Sequence, residues 1–199
     1  MRGLAILCAL VGSACFGNQA LDFPDGLEPL EDNVVGEPAV GQLLTESGKD
    51  RPSWGHGRAR YQAPSSEVWL ALQDPQNLIN TWTTDKQSYE ENNESAYEYS
   101  FLVHYTVDDI LTVKWDEQYR YGLLEGDADT PKFGMIRYQL VYGSEFIDLI
   151  EGSYELIRID DEVTEVQMVQ HVQALSSSKD DIIDTFEHVH ANLQAALAP

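Results

Sequence analysis

Cysteine is almost missing from this chain of 199 residues: Cys8 and Cys15 are the only two, and both sit in the first fifteen positions. Beyond them no disulfide framework can form, so stability has to come from an ordinary apolar core, which a chain of this length can supply. Cations are the second shortage. Twelve lysines and arginines stand against 34 aspartates and glutamates, a formal charge of −22. Such a surface repels nucleic-acid phosphates and anionic lipid headgroups, which removes both as electrostatic partners. Long hydrophobic runs are missing as well. The run from Gly3 to Val11 falls well short of the roughly 20 apolar residues of a membrane-crossing helix, and no later stretch exceeds it. The chain also shows no Ser/His/Asp order, cysteine nucleophile, CxxC pair or phosphate-binding glycine loop, and no cofactor is expected.

What the N-terminus does have is the three parts of a secretory signal: Arg2, the apolar run Gly3 to Val11, and the small residues Gly12-Ser13-Ala14 before Cys15. Residues 1–15 are therefore expected to be a signal peptide, and the protein to be exported. Ser13-Ala14-Cys15 fits a lipoprotein signal, which makes Cys15 a lipidation candidate. Gly12 departs from that pattern, and cleavage after Ala14 or Gly17 is the alternative. The expected location is the periplasm, membrane-anchored or free, or the medium. Losing the first fourteen residues removes Arg2 and no acid, moving the formal charge from −22 to −23.

Residues 16–53 carry eight acids and four prolines, and their hydrophobic residues keep no sustained period. They read as an acidic, partly disordered spacer. The alternative is an arm packed on the domain through Leu27, Leu30, Val34 and Leu43.

From residue 54 to 199 the pattern is that of one folded domain. Arg58 to Ala63 is a short strand candidate. Ser65 or Ser66 is placed to cap a helix with the apolar face Val68, Trp69 and Leu72, ended by Asp74-Pro75. A second short helix is expected through Leu78 and Ile79 to Trp82. From Tyr97 to Val107, residues Tyr99, Phe101, Val103 and Tyr105 share one face, against Glu98, Ser100, His104 and Thr106. Leu111, Val113, Trp115, Tyr119 and Tyr121 repeat this period-two alternation, the mark of half-buried antiparallel strands. Further strands are expected over Met135–Tyr142, Phe146–Ile159 and Val163–Leu175. In the last, Val166, Met168, Gln170, Val172 and Ala174 form the more apolar face, which turns His171 outward. A closing helix, capped by Ser178 or Asp180, carries Ile182, Phe186, Val189, Leu193 and Ala196 at helical spacing.

That order, together with the run Ala63-Pro64-Ser65-Ser66-Glu67-Val68-Trp69-Leu70-Ala71-Leu72-Gln73-Asp74-Pro75 and Trp82, resembles the START-like helix-grip superfamily (SRPBCC), in particular its polyketide cyclase/dehydrase-like bacterial members. The resemblance spans roughly residues 57–197. It implies an α+β helix-grip fold: a curved antiparallel β-sheet wrapped around a long C-terminal helix, with two short helices after the first strand. It also implies a cavity between sheet and helix that holds lipids, sterols, polyketides or aromatic metabolites, with catalysis in a minority of members. Lipocalins are the rival fold, but they lack the helix pair, and Trp54-Gly55 is not their opening Gly-x-Trp.

The expected role is therefore an exported domain binding a hydrophobic small molecule. Tyr99, Phe101, Tyr105, Trp115 and Tyr119 are cavity candidates as inward aromatics, and Phe186 and His190 as helix residues facing them. Two alternatives stand beside it. One is a cyclase/dehydrase-type enzyme using cavity tyrosines and His190 as acid/base groups. The other is an envelope interaction module with a collapsed cavity. Asp184 with His188, and Glu187 with His190, have spacings that metal sites use, but solvated helix faces produce such pairs constantly, so no metal is expected. The direction of Arg137 is undecided by alternation. Oligomeric state is left open.

Overall fold

The computed structural model describes residues 27–79, 84–108, 111–143, 145–175 and 179–198. Strand β1 (Leu43–Lys49) and strand β2 (Ser53–Tyr61) lead into helices α1 (Ser65–Gln73) and α2 (Pro75–Leu78). Six strands follow: β3 (Lys86–Glu91), β4 (Tyr99–Asp108), β5 (Thr112–Glu125), β6 (Phe133–Gly143), β7 (Ile147–Arg158) and β8 (Thr164–Ala174). Helix α3 (Lys179–Ala196) closes the chain. All eight strands join one antiparallel, curved sheet in the order β1-β2-β8-β7-β6-β5-β4-β3.

Alternation sorts the side chains of this sheet. Phe101, Val103 and Tyr105 of β4, Tyr119 and Tyr121 of β5, Ile136, Tyr138 and Leu140 of β6, and Val166 and Met168 of β8 are all buried towards the helices. α3 buries Ile182, Phe186, Val189 and Leu193 against them, each contributing about 1.5–3 kcal/mol. Its seat is β2, where Gly55 and Gly57 leave the surface bare: a methyl on Gly55 would collide with Ile182, and one on Gly57 would press on Phe186 and Met168. The helix thus lies close to one half of the sheet, against β1 and β2. The other half is left to the aromatic side chains of β4 to β7.

Several local expectations shift. α1 starts at Ser65 itself, with Pro64 in the cap position and its carbonyl accepting the N–H groups of Glu67 and Val68, so neither serine caps through its side chain. Asp74 does end α1, and its carboxylate caps α2 by accepting the Gln76 N–H at 3.0 Å. α2 stops at Leu78; Trp82 and Ser178 lie outside the described residues. Asp180 is inside the first turn of α3 and is not its cap.

The domain begins earlier than residue 54. β1, inside the stretch read as spacer, pairs with β2 along its length, so it precedes the strand expected first. Residues 27–42 lie on the sheet and on β2, as in the packed-arm alternative, but Val34, one of the four contacts expected there, is exposed and its neighbour Val35 is buried instead. The Leu30 N–H donates to Ser153 Oγ at 3.1 Å, and the Asn33 amide donates to the carbonyls of Gly57 and Met168 at 2.9 and 3.2 Å. Val35 is buried and its carbonyl accepts from Arg58. Leu27 reaches over Gly122. For residues 27–53 the spacer reading is thereby corrected. The contacts are made by isolated hydrogen bonds to a strand surface, which leave no hydrophobic period in the sequence. Residues 16–26, like the signal segment and Cys15, lie outside the described residues.

The arm also explains why so many polar groups on the outer face of the sheet are buried. Arg58 and Arg60 donate to the two oxygens of the fully buried Glu165 at 2.6 and 2.8 Å. Arg137, undecided on alternation, points to this face; it donates to the Gly152 carbonyl at 3.2 Å and lies 4.0 Å from Glu151.

Candidate functional site

Between the aromatic half of the sheet and the first turns of α3 lies a cavity of about 160 Å³. Its floor is built by cross-strand pairing. Phe101, Tyr119, Tyr138 and Tyr154, from β4, β5, β6 and β7, stack in a ladder with centroid separations of 4.7, 4.9 and 5.5 Å. Tyr105 and Trp115 stack beside it at 4.9 Å. Tyr105, Trp115, Tyr119, Tyr138 and Tyr154 line the space, with Ile150, Gln170 and Val172 from β7 and β8. Leu78, Thr84 and the α3 residues Asp181, Ile182 and Thr185 complete the wall, and Asp181 is solvent-exposed at its rim.

One charged side chain is buried in this wall. Glu117 follows the inward register of β5, and the register shift between β5 and β6 falls beside it, at Asp116/Glu117. Bulges of this kind re-aim side chains next to sites. Glu117 Oε1 accepts the Trp115 indole N–H at 2.8 Å, and Oε2 accepts the Tyr119 hydroxyl at 3.1 Å. Among the described residues no basic side chain pairs with it. Burial pushes its carboxyl up to about 7, against the opposing pull of those two hydrogen bonds. Burial also raises the Tyr105, Tyr119 and Tyr138 hydroxyls, which stay neutral. Gln170 is another polar residue of the wall: its amide oxygen is buried and has no hydrogen-bond partner among the described residues.

No protein-family model and no curated protein matches the chain in sequence. Solved structures do match in shape. The STAR-related lipid transfer protein from Xanthomonas axonopodis aligns with a TM-score of 0.53 at 16% identity, over 85% of this chain and 99% of that one. The lipid transfer and protein localization domain of human StarD13 gives 0.55 at 7%, over 83% and 88%. A protein from Thermus thermophilus gives 0.50 at 12%, over 72% and 98%. The chain has the START-like helix-grip fold.

Of the residues singled out in the sequence, Tyr105, Trp115 and Tyr119 line the helix-grip cavity. Phe101 forms the end of the ring ladder, and Tyr99 packs behind it at 5.7 Å; neither borders the space. Phe186 is fully buried over β2. His190 sits further along α3, with Nδ1 3.0 Å from the Tyr61 hydroxyl and a hydrogen bond to the Gly41 backbone. Burial lowers its pKa, so the neutral ring accepts the Tyr61 proton. Its expected role as an acid/base group in the cavity is corrected: the rotation of α3 turns it towards β2. His171 is outward, as expected.

Glu117, Tyr138, Tyr154 and Gln170 were not singled out. Glu117 is the one acidic residue at the inward positions 113, 115, 117, 119 and 121, and that interruption was its signal.

Elsewhere, Glu31 of the arm lies between two histidines. It accepts from His56 Nε2 at 2.8 Å and from His171 Nε2 at 2.9 Å. This is not a metal-ready trio, because the Val34 N–H donates to His56 Nδ1, which keeps the His56 proton on Nε2. No grouping of three or more metal-ligating side chains, and no helix long and apolar enough to cross a membrane, occurs among the described residues.

Proposed function

We propose that this chain holds one small, largely apolar, ring-bearing molecule non-covalently between its sheet and α3. The observation that carries this reading is the space of about 160 Å³ walled by five aromatic rings. An engineered apolar cavity of about 150 Å³ takes up benzene, so this space suits one ring with a short substituent. Drug-sized ligands occupy sites of roughly 300–1,000 Å³. Two of the similar structures are named for lipid transfer; a whole lipid here would require α3 to move off the sheet. The open space counts against the collapsed-cavity interaction module.

Native mass spectrometry and Trp115 fluorescence with toluene, indole, naphthalene and palmitate test this. Toluene and indole are expected to bind, and Val172→Trp, which fills the space, to abolish binding in a protein that still melts cooperatively. If none of the four binds the folded protein, the reading is wrong.

A second reading, a cyclase/dehydrase-type enzyme, is favoured by one observation. A buried carboxyl near 7 has the value a general acid or base needs at neutral pH. In that reading Glu117, not His190, transfers the proton. Turnover of a bound ring compound that is lost in Glu117→Gln, with binding kept, would establish it.

Export belongs to the proposal as well, supported by the residue pattern of the first fifteen positions. Mass spectrometry of the cellular protein decides its form: a lipidated Cys15 marks the anchored protein, a free Asn18 or Cys15 terminus the released one, and an intact Met1 removes export.

A further inference from the structure

We infer that the ligand of this cavity is a small organic amine, bound as its ammonium ion against Glu117. The inference rests on the reading that the cavity holds a ring-bearing small molecule, and it adds the chemistry of the substituent.

Donors and acceptors at the wall are out of balance. The Trp115 N–H and the Tyr119 O–H are already directed at Glu117, the Tyr105 hydroxyl bonds with that of Tyr119, and the hydroxyls of Tyr138 and Tyr154 bond to each other. A carboxylate has about four lone-pair positions, so Glu117 can accept further bonds. What the space asks of an occupant is protons to donate. An ammonium group offers three, a hydroxyl one and a carboxylate none.

Charge points the same way. Among the described residues no lysine, arginine or histidine lines the cavity, while Glu117 lies in its wall and Asp181 at its rim. An anionic ligand would be buried beside a carboxyl with no counter-charge, a costly arrangement. A cation would meet a carboxylate and the faces of tyrosine and tryptophan rings, whose quadrupoles attract positive charge and do so more strongly when desolvated. The groups facing Glu117 from the other elements are the neutral Tyr105, Tyr138, Tyr154 and Gln170 from the sheet, and Asp181 from α3. None competes with a ligand as a cation.

Calorimetric titration of the intact protein with benzylamine, benzyl alcohol, benzoate and toluene at about pH 8 tests the inference, since Glu117 is then largely ionised and benzylamine still protonated. Benzylamine is expected to bind about 10- to 100-fold more tightly than benzyl alcohol, the range of a charge-assisted hydrogen bond, with benzoate weakest. Glu117→Gln should remove that preference in a protein that still melts cooperatively. Lowering the pH to about 5.5 protonates Glu117 and should weaken benzylamine but not toluene. If toluene and benzyl alcohol bind as well as benzylamine, or benzoate binds best, the amine is wrong while the cavity reading stands. If none of the four binds, the cavity reading fails with it.

Discussion

At the scale of single residues, Glu117 is where the chain departs from the economy of a core. A carboxyl whose folded-state pKa is raised stabilises the fold while protonated, and that contribution is lost as the pH climbs from the unfolded value near 4.5 to the folded value of about 7. Above that pH the ionised group is a net cost of about 3 kcal/mol or less. Glu117→Gln keeps the volume, can still accept the Trp115 N–H, and cannot ionise. It is therefore expected to raise the melting temperature at about pH 8, by several degrees for a chain of this size, with little change at about pH 5. Thermal melts of both proteins at the two pH values check this, and equal melting temperatures at the higher pH would contradict it. A residue that weakens the free protein and has no ion-pair partner among the described residues is the kind retained for binding.

At the scale of elements, the arm and α3 grip the sheet from opposite faces. Glu31 latches the arm through two histidines. His171 has carboxylates at both ring nitrogens, Glu151 at 3.4 Å and Glu31 at 2.9 Å. The Glu151 bond, against the effect of burial and aided by Glu31, raises its pKa. Burial raises Glu31, but its bonds to His171 and His56 outweigh this and leave it below the usual carboxylate value. A raised histidine stabilises below about 6.5 and loses that contribution as the pH rises through its folded value. A lowered glutamate stabilises above about 4.5 and loses it as the pH falls through its own. The latch is accordingly tightest between these limits. Glu31→Ala should cost about 1 kcal/mol near pH 6 and less near pH 8.5, read from urea melts. On the opposite face, Gly55→Ala should cost about 1–3 kcal/mol, because the added methyl drives α3 off β2 at Ile182. A melting temperature unchanged by this substitution would mean that the helix is not seated there.

The sequence signals for these two elements were unequal. α3 has an apolar stripe at helical spacing, and Ile182, Phe186, Val189 and Leu193 are all buried as that stripe requires. The arm has no stripe. It binds through the Leu30 N–H, the Asn33 amide and Glu31, groups that look the same in sequence whether they meet water or a strand. The cavity divides similarly. Alternation placed Tyr105, Trp115, Tyr119 and Gln170 on the inner face. Whether an inner position borders open space or packed side chains depends on where α3 and α2 end over the sheet, which is a tertiary quantity. Phe101 and Tyr119 are cross-strand partners on one face, yet only Tyr119 meets the space.

At the scale of the whole molecule, the charge acts on stability and on binding with opposite signs. A chain at −22 repels itself when folded compactly, and the unfolded chain relieves this by spreading the charges apart. The same field attracts a cation towards a rim that carries Asp181 and raises its local concentration. Both effects act between exposed charges, so both are screened once the Debye length falls from about 30 Å at 0.01 M salt to below 8 Å at 0.5 M. The melting temperature should therefore rise with sodium chloride over this range while benzylamine binding weakens. Toluene binding, which carries no charge, should strengthen slightly or stay level, because salt does not weaken apolar burial. Measuring all three across one salt series separates the field of the surface from the carboxyl in the cavity. In Glu117→Gln the stability trend should persist with the same slope, since the surface is untouched, and the residual salt dependence of benzylamine binding then belongs to the surface alone. A benzylamine affinity independent of salt, beside a melting temperature that climbs, would confine the attraction to Glu117 and leave the acidic surface a role in stability and none in capture.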